Sequence, residues 1–271
     1  MTVDQGAVFR ALHQPGNPFI LANAWDVGSA LMLQGMGAKA IATSSAALAF
    51  TLGTRDMGHI TRDQSLAHAQ DLVATVNVPV SGDFENGFGE DPETCAETVR
   101  MAGEIGLAGI CIEDTALPND TPYAFDLAVE RIKAAASAAR GLNKDFFLVA
   151  RSDGVLTGKY DVDEAIRRLQ AFEAVGADGL YAPTPANPGD LARICAAVTK
   201  PVNVLAAGPC TKLTMAEFAK AGAARISLGS ALARATHRLI RDLGQDMLVN
   251  GDFAGLGKSI SSDAVESLMF K

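Results

Sequence analysis

Acidic side chains follow two apolar runs of this sequence, at positions where buried strands would end. Asp83 and Glu85 come after VNVPVSG, and Glu113 comes after GICI. On a strand, positions i and i+2 share a face, so Asp83 and Glu85 can point to the same side, beside Glu113 on the next strand. Converging carboxylates repel one another unless a cation neutralises them, and oxygen ligands suit Mg²⁺ or Mn²⁺. The spacing therefore predicts a metal site.

The same residues also have a structural interpretation. Glu85 could face solvent, and Glu113 could form a salt bridge with Arg151, which ends the run FFLVAR. Arg151 could equally clamp a substrate carboxylate through two parallel hydrogen bonds. Ser44 and Ser45 lead into a loop of small residues, which either offers hydroxyl and N–H groups to an anion or simply permits close packing.

The elements that must position these residues repeat along the chain. Four segments run from a helix-like stretch, ending near glycine, into a short apolar strand: LQGMGAKAIATSS, AGEIGLAGICIED, FEAVGADGLYAPT and FAKAGAARISLGS. Three more strands follow polar breaks, and FILANA adds an early one. Eight apolar strands alternating with helices predict an α/β protein, a single (β/α)8 TIM barrel over residues 1–271 with its site at the strand ends. An open doubly wound sheet is the alternative.

Composition excludes several classes of partner. The net charge of -8 and the pI near 5.0 disfavour binding to nucleic acid or to an anionic membrane surface. No basic leader and no run of about 18 apolar residues is present, which predicts a cytoplasmic protein without a membrane partner. The four cysteines are widely spaced and suggest neither a zinc site nor a disulfide framework.

Four motifs, in the right order, resemble those of the isocitrate lyase/phosphoenolpyruvate mutase superfamily, and the match runs over nearly the whole chain. The D-x-D-x-G-[YF]-G element of that superfamily resembles DFENGFG at 83–89. The x-E-D strand end resembles IED at 112–114, and A-R-[TS]-[DE] resembles ARSD at 150–153. The serine loop followed by L-G-x-x-D resembles SSA at 44–46 and LGTRD at 52–56.

The resemblance implies a barrel whose last helix is exchanged between subunits, usually in a homotetramer. The C-terminal helices, about residues 230–271, would then pack on a neighbouring subunit. It also implies Mg²⁺ (or Mn²⁺) as the cofactor and a small 2-oxo or dicarboxylic acid, such as oxaloacetate, as the substrate.

The resemblance also assigns site residues. Asp83 would be a direct metal ligand, with Glu85 and Glu113 holding the ion largely through water. The expected catalytic residues are Asp56, Arg151 and Glu113. The expected substrate contacts are Arg151, the hydroxyl of Ser44, the N–H groups of Ser45 and Ala46, and the side chains of Asn119, Tyr181 and Asn203.

The chain departs from two branches of the superfamily. Lyases of the isocitrate type carry K-K-C-G-H after strand 4, where this chain reads TALPNDTP at 115–122. The mutases carry a tryptophan on strand 2, where this chain has Ala42. A Schiff-base aldolase needs a lysine at an inner strand position, and none fits.

These patterns predict a Mg²⁺-dependent carbon–carbon lyase that forms the enolate of pyruvate from a small 2-oxo carboxylate, by decarboxylation or retro-aldol cleavage. Retro-aldol cleavage also needs a base, for which Asp56, Tyr181 and the residues after Glu113 are candidates. Two alternatives are a phosphonate/phosphoenolpyruvate mutase or C–P hydrolase, and a barrel that binds a dicarboxylate without turning it over.

Overall fold

The computed structural model describes residues 3–183 and 187–270. Within these ranges, eight parallel strands close into a barrel in which each strand pairs with its neighbours in sequence and β1 pairs with β8. The predicted (β/α)8 barrel is therefore confirmed. The strands are β1 Phe19–Asn23, β2 Ile41–Ala42, β3 Val80–Asp83, β4 Gly109–Glu113, β5 Phe147–Arg151, β6 Gly179–Tyr181, β7 Val202–Leu205 and β8 Arg225–Ser227.

Helices surround the barrel and cover the outer faces of its strands. They are α1 Gln5–Leu12, α2 Val27–Gly35, α3 Ser45–Thr51, α4 Arg62–Thr75, α5 Pro92–Glu104, α6 Phe125–Arg140, α7 Gly154–Thr157, α8 Val162–Ala174, α9 Gly189–Ala196, α10 Met215–Lys220, α11 Ala231–Gln245 and α12 Ser262–Met269. Shorter helical turns span Gly208–Lys212, Asp246–Asn250 and Ala254–Lys258. No helix in the described ranges is long and apolar enough to cross a bilayer.

Side chains at the helix starts explain where several of these helices begin. Thr61 and Thr214 each form a reciprocal capping box with the residue three positions later. Asp161 accepts a hydrogen bond from the N–H of Glu164. Asp91 stands before Pro92 at the start of α5 but makes no capping hydrogen bond with its side chain. These caps fix the loops that run between strands and helices.

The first helix closes the amino end of the barrel. Phe9 of α1 is fully buried, and the ring of His13 stacks on that of Phe147 with centroids 3.9 Å apart. Arg10 donates to Asp145 and to Asp178, with N–O distances of 2.6 and 2.8 Å. Since both aspartates lie far along the chain, these contacts attach α1 to β5 and β6 and leave the other end of the barrel open.

A short hairpin stands over the open end. Its strands, Thr115–Ala116 and Thr121–Pro122, pair antiparallel directly after β4. Gly58, in the loop before α4, packs against this hairpin with a φ of 78°, and a Cβ there would lie 2.8 Å from the Cβ of Leu117. Only glycine allows both the positive φ and the close approach. The hairpin and the loop therefore form one rim.

The C-terminal region divides into two parts. Helix α12 packs against α2 of the same chain, so closely that a Cβ on Gly35 would lie 1.7 Å from the carbonyl oxygen of Leu268. Helix α11 instead buries only Ala233 and leaves Leu239 and Ile240 exposed. The predicted exchange between subunits thus stays a prediction for α11, whereas α12 already has a partner within its own chain.

Candidate active site

A cavity of about 180 Å³ opens at the carboxyl ends of the strands. Nearly all of the residues expected from the sequence line it: Ser44, Ser45, Ala46, Asp56, Asp83, Glu85, Glu113, Arg151, Tyr181 and Asn203. Asn119 is the exception, because it lies on the exposed turn of the hairpin. Its neighbour Asp120 lines the cavity instead. The expected substrate contact of Asn119 therefore does not fit its position in the hairpin.

Arg151 lies at the centre of the acidic groups. Its Nη1 is 2.9 Å from Asp83 Oδ1 and 3.0 Å from Glu113 Oε1. Its Nε and Nη2 donate to the two oxygens of Asp153 at 3.1 and 2.6 Å, a bidentate pair. The guanidinium also lies 5.0 Å from the centre of the Tyr181 ring. The salt bridge to Glu113 and the pair with Asp153 are thus both present, and Arg151 still lines the cavity.

Besides its salt bridge to Arg151, Asp83 contacts two residues that follow β2 and one residue of β4. Its N–H donates to Thr43 Oγ1 at 2.8 Å, and its Oδ2 accepts from the N–H and hydroxyl of Ser45 at 2.9 and 3.1 Å. Its Oδ1 lies 3.3 Å from Cys111 Sγ. In this conformation the Ser45 N–H, which was expected to hold a substrate carboxylate, contacts the Asp83 carboxylate.

Glu85 lies beyond the end of β3, so strand periodicity does not determine where its side chain points. Strand β3 ends at Asp83, and Glu85 adopts a φ of 46°, so the two residues do not share a strand face. The carboxylate of Glu85 is nevertheless buried and accepts from the N–H of Gly58 at 3.0 Å. Asp83 and Glu85 thus reach the same cavity, as expected, although strand alternation does not place Glu85 there, and the solvent-facing alternative for Glu85 is wrong.

Strained backbone concentrates around the cavity. Within the described ranges, four residues other than glycine have positive φ, and three of them line the cavity: Met57, Glu85 and Asp120. Such conformations each cost about 1 to 3 kcal/mol, and they persist where surrounding contacts enforce them, often at functional sites. The loops at the rim are thus held in one specific shape.

Burial makes the cavity an unfavourable place for negative charge. Burial raises the pKa of Glu113 well above its ordinary value, and that of Glu85 to about 7. It also raises the pKa of Asp153 to about 6, although Arg151 acts in the opposite direction, and it raises the pKa of Asp56. Additional positive charge in the cavity would stabilise the ionised forms of all four.

A buried network behind β4 and β5 fixes Asp153. Asp114 accepts from the N–H of Asp153 at 2.8 Å, from the hydroxyl of Tyr160 at 2.7 Å and from Arg168 Nη1 at 3.0 Å. Its side chain is fully buried. Because every bond of Asp114 is internal, the loop after β5 holds Asp153, and through it Arg151, in place.

Three charged residues of the cavity, Asp120, Asp153 and Arg225, were not among the site residues expected from the sequence. Asp120 is in the turn of the hairpin, and no periodic pattern marks it. Arg225 begins β8 inside the barrel, where its Nε donates to Asn203 Oδ1 at 2.8 Å. Burial lowers the pKa of Arg225 to about 10. Arg225 could have been recognised as a candidate site residue from the sequence, because it is the single charge in the apolar run AARISLG and unpaired charges are rare in buried strands.

The donor set fits a hard divalent cation by its chemistry. Six acidic side chains line the cavity against two arginines, and all of the acidic donors are carboxylate oxygens. Among the described residues, however, no three histidine, cysteine or acidic groups lie close enough together to ligate one ion directly. This arrangement agrees with a cation that one carboxylate would bind directly and that the other acids would contact through water.

Comparison with known proteins places this geometry in a family. A family model described as phosphoenolpyruvate phosphomutase matches residues 9–248. The chain belongs to this family. Its structure superimposes on that of a candidate lyase/mutase from Burkholderia cenocepacia J2315 with a TM-score of 0.93 and 41% identity, covering 98% of this chain and 96% of the other.

Relatives in the family include named enzymes. An uncharacterised Mycobacterium tuberculosis protein is 34% identical over 82% of this chain and 81% of its own length. The 2-methylisocitrate lyase of Escherichia coli is 31% identical over 65% and 61%, and the oxaloacetate decarboxylase of Paraburkholderia xenovorans is 31% identical over 67% and 62%. The predicted superfamily is confirmed, as is the expectation of an enzyme from a superfamily that contains carbon–carbon lyases.

Proposed function

We propose that this protein is a carbon–carbon lyase that requires Mg²⁺ or Mn²⁺ and converts a small 2-oxo carboxylate through the enolate of pyruvate. The observation that carries the proposal is the cavity in which Arg151 joins Asp83, Glu113 and Asp153. Six acids against two arginines leave an excess of negative charge that a divalent cation would neutralise. We also propose that the enzyme acts in the cytoplasm.

The residues of the cavity divide the work. Asp83 would hold the cation directly, with Glu85 and Glu113 acting through water. Arg151 would bind oxygens of the 2-oxo acid, and the Ser44 hydroxyl with the N–H groups of Ser45 and Ala46 would bind its carboxylate. For this, the Ser45 N–H must leave Asp83, which it contacts at 2.9 Å. Asp56 would lie beside the reacting carbon.

A bound divalent cation supplies positive charge where negative charge develops on the 2-oxo oxygen. Arg151 contributes charge of the same sign from the polypeptide, in a cavity where burial strengthens each electrostatic contact. The rim formed by the hairpin and the Gly58 loop would limit the access of water. Cleavage of the C3–C4 bond then leaves its electron pair in the enolate of C2 and C3, and protonation at C3 gives pyruvate.

Relatives with lyase and decarboxylase names support this class of reaction. One relative is named 2-methylisocitrate lyase and another oxaloacetate decarboxylase. Nothing in the cavity favours the mutase or C–P hydrolase alternative, because Ala42 lines the wall where the mutases carry a tryptophan. A barrel that only binds dicarboxylates would have to keep the buried acids together with no catalytic benefit.

The test removes the proposed metal ligand. We expect Asp83→Asn to abolish Mg²⁺-dependent release of pyruvate from 2-oxo acids, and to abolish the increase in melting temperature that MgCl₂ gives the wild-type protein. Asp91→Asn is the matched control, because Asp91 is exposed and its side chain caps nothing. Undiminished turnover in EDTA, or in Asp83→Asn, would overturn the proposal.

A further inference from the structure

One wall of the cavity carries polar atoms that have no partner. Five buried side-chain atoms in the described part of the chain lack a hydrogen bond, and three of them belong to residues that line this cavity. They are Thr115 Oγ1, Asp120 Oδ1 and Thr157 Oγ1. Since most buried polar atoms are hydrogen-bonded, their concentration in one place points to a ligand.

The three residues belong to adjacent elements. Thr115 and Asp120 belong to the hairpin, and Thr157 ends α7. Asp120 Oδ2 lies 3.7 Å from Lys159 Nζ, and this contact brings the end of α7 to the hairpin. Thr115 has no exposed surface at all. An unmet hydrogen bond at a buried atom destabilises the fold, and a ligand that supplied the missing partner would recover that cost.

The chemistry of these atoms selects the ligand. An ionised carboxylate such as that of Asp120 only accepts hydrogen bonds, whereas a threonine hydroxyl both donates and accepts. A second carboxylate on the substrate would be repelled by the carboxylate of Asp120 and could not donate a hydrogen bond to it. A hydroxyl group donates one hydrogen bond and accepts others, and so it satisfies both kinds of side chain.

We propose that Thr115, Asp120 and Thr157 form a subsite for a hydroxyl group, so that the substrate is a 4-hydroxy-2-oxo acid and Asp120 is the base that takes the hydroxyl proton. This inference rests on the proposed function, because Arg151 and the Ser44 loop must first hold the 2-oxo acid end. The remaining carbon chain then extends to the hairpin wall.

The step is a retro-aldol cleavage. Asp120 takes the proton from the oxygen on C4, and that oxygen forms a carbonyl with C4. The C3–C4 bond breaks, and its electron pair forms the C2–C3 double bond of the enolate while the negative charge moves to the oxygen on C2. A proton added at C3 completes pyruvate, the proton on Asp120 is lost to water, and an aldehyde leaves. No oxidant or reductant is needed.

The experiment compares two substrates, 4-hydroxy-2-oxopentanoate and oxaloacetate, by pyruvate release in the presence of Mg²⁺. We expect Asp120→Asn to lower kcat for the hydroxy acid about 100-fold or more, as for the loss of a general base. Oxaloacetate has no hydroxyl proton to lose, so its kcat should fall by less than about 3-fold, and its KM should not rise, because the variant removes the charge that opposes its second carboxylate. Asp120→Glu should recover part of the lost activity.

A second variant tests the subsite independently of the base. Thr157→Val should raise KM for the hydroxy acid about 10-fold, the equivalent of one hydrogen bond, and leave KM for oxaloacetate unchanged. Thr121→Val is the matched control, because Thr121 is on the same hairpin, exposed and outside the cavity. If Asp120→Asn fails to fold, the KM values of Thr157→Val still test whether the hydroxyl subsite exists.

The outcomes separate the two proposals. Pyruvate release from neither substrate would overturn the proposed function itself. Release from oxaloacetate alone, or equal losses on both substrates in Asp120→Asn, would overturn the hydroxyl subsite and leave the lyase assignment standing. An unchanged KM in Thr157→Val would mean that the wall binds only water.

Discussion

Arg151 has ion pairs that support the structure of the cavity, and it is also the residue that we propose binds the substrate. It bonds three acids that belong to β3, β4 and the loop after β5, and it is almost wholly buried. Burial acts to lower the pKa of its guanidinium, but the charges of Asp153, Glu113 and Asp83 together hold that pKa well above the ordinary value. The arginine therefore remains charged, and its loss would leave several buried acids without a counter-charge.

We expect Arg151→Gln to lower the free energy of unfolding at pH 7 by about 3 kcal/mol, because breaking a buried ion pair leaves an uncompensated charge. It should also weaken pyruvate binding about 100-fold. Urea unfolding and calorimetry would measure the two effects. Arg193→Gln is the matched control, because Arg193 pairs with Asp163 and Asp190 but is half exposed, and its loss should have little effect on stability.

A stability loss in Arg151→Gln with an unchanged affinity for pyruvate would assign Arg151 to structural pairing alone. That result would leave the acids around Asp83 in the site but remove the proposed contact to the substrate.

Single residues were predicted from the sequence with uneven success. Asp83, Glu113 and Arg151 end regular strands, so the alternation of faces and the order of the strands placed them correctly at the cavity. Glu85 lies beyond the strand, where its position depends on a positive φ that no periodicity encodes. Asp120, rather than Asn119, lines the cavity. Which side chain of a tight turn faces inward depends on the backbone angles of the turn rather than on residue type.

Among the elements, strands were easier to predict than loops. Each apolar run became one barrel strand because burial on both faces dictates its composition. The hairpin after β4 was not predicted, since its two-residue strands are too short for any pattern. Helix α1 was not predicted as the plug of the barrel either, because its contacts to Asp145 and Asp178 are distant in sequence.

Helix α1 makes stability depend on pH through His13. Nδ1 of His13 lies 2.8 Å from the carbonyl oxygen of Phe9, and Nε2 lies 3.3 Å from Arg225 Nη1, so the neutral ring donates to Phe9 and accepts from Arg225. Burial, with the charge of Arg225, lowers the pKa of His13 from 6.5 to about 2. Between these values the unfolded chain binds a proton that the folded chain excludes, so acid destabilises the fold.

We expect the contribution of His13 to the free energy of unfolding to fall by about 1.4 kcal/mol for each pH unit below 6.5, or about 2 kcal/mol at pH 5. His13→Phe keeps the aromatic stack and should reduce this pH dependence. Burial also lowers the pKa of His68, so His68 should maintain part of the pH dependence in the variant. Urea unfolding at pH 7 and pH 5 would measure the difference.

His237→Gln is the control for this measurement, because His237 is exposed on α11 and should leave the pH dependence unchanged. An equal dependence in His13→Phe and in the wild-type protein would show that the buried histidine accepts its proton without loss of stability.

For the molecule within the described residues, the barrel accounts for most of the chain, but α11 buries only Ala233 against it. Leu239 and Ile240 of α11 are exposed, and so are Leu248, Val249 and Phe253 in the segment that follows. Large contiguous apolar surfaces on a monomer commonly mark an interface. The predicted homotetramer, in which α11 packs on a neighbouring subunit, would cover this surface.

We expect the double variant Leu239→Glu/Ile240→Glu to shift the protein from a tetramer to smaller species, because two charges would have to be buried at the interface. Light scattering coupled to size-exclusion chromatography would measure the mass. Met215→Glu, an exposed apolar residue on α10, should leave the mass unchanged. A wild-type protein that is monomeric at micromolar concentration would refute the predicted assembly.

The bridge that Arg151 makes between the ends of β3, β4 and β5 also bears on the order in which the protein is assembled in a cell. A newly synthesised chain brings its own counter-charge to the acidic strand ends, so the barrel can close without waiting for an ion. Binding of the proposed divalent cation would then follow folding of the barrel. Under the proposed requirement for Mg²⁺ or Mn²⁺, a shortage of divalent cations would reduce the active fraction of this protein more than its abundance.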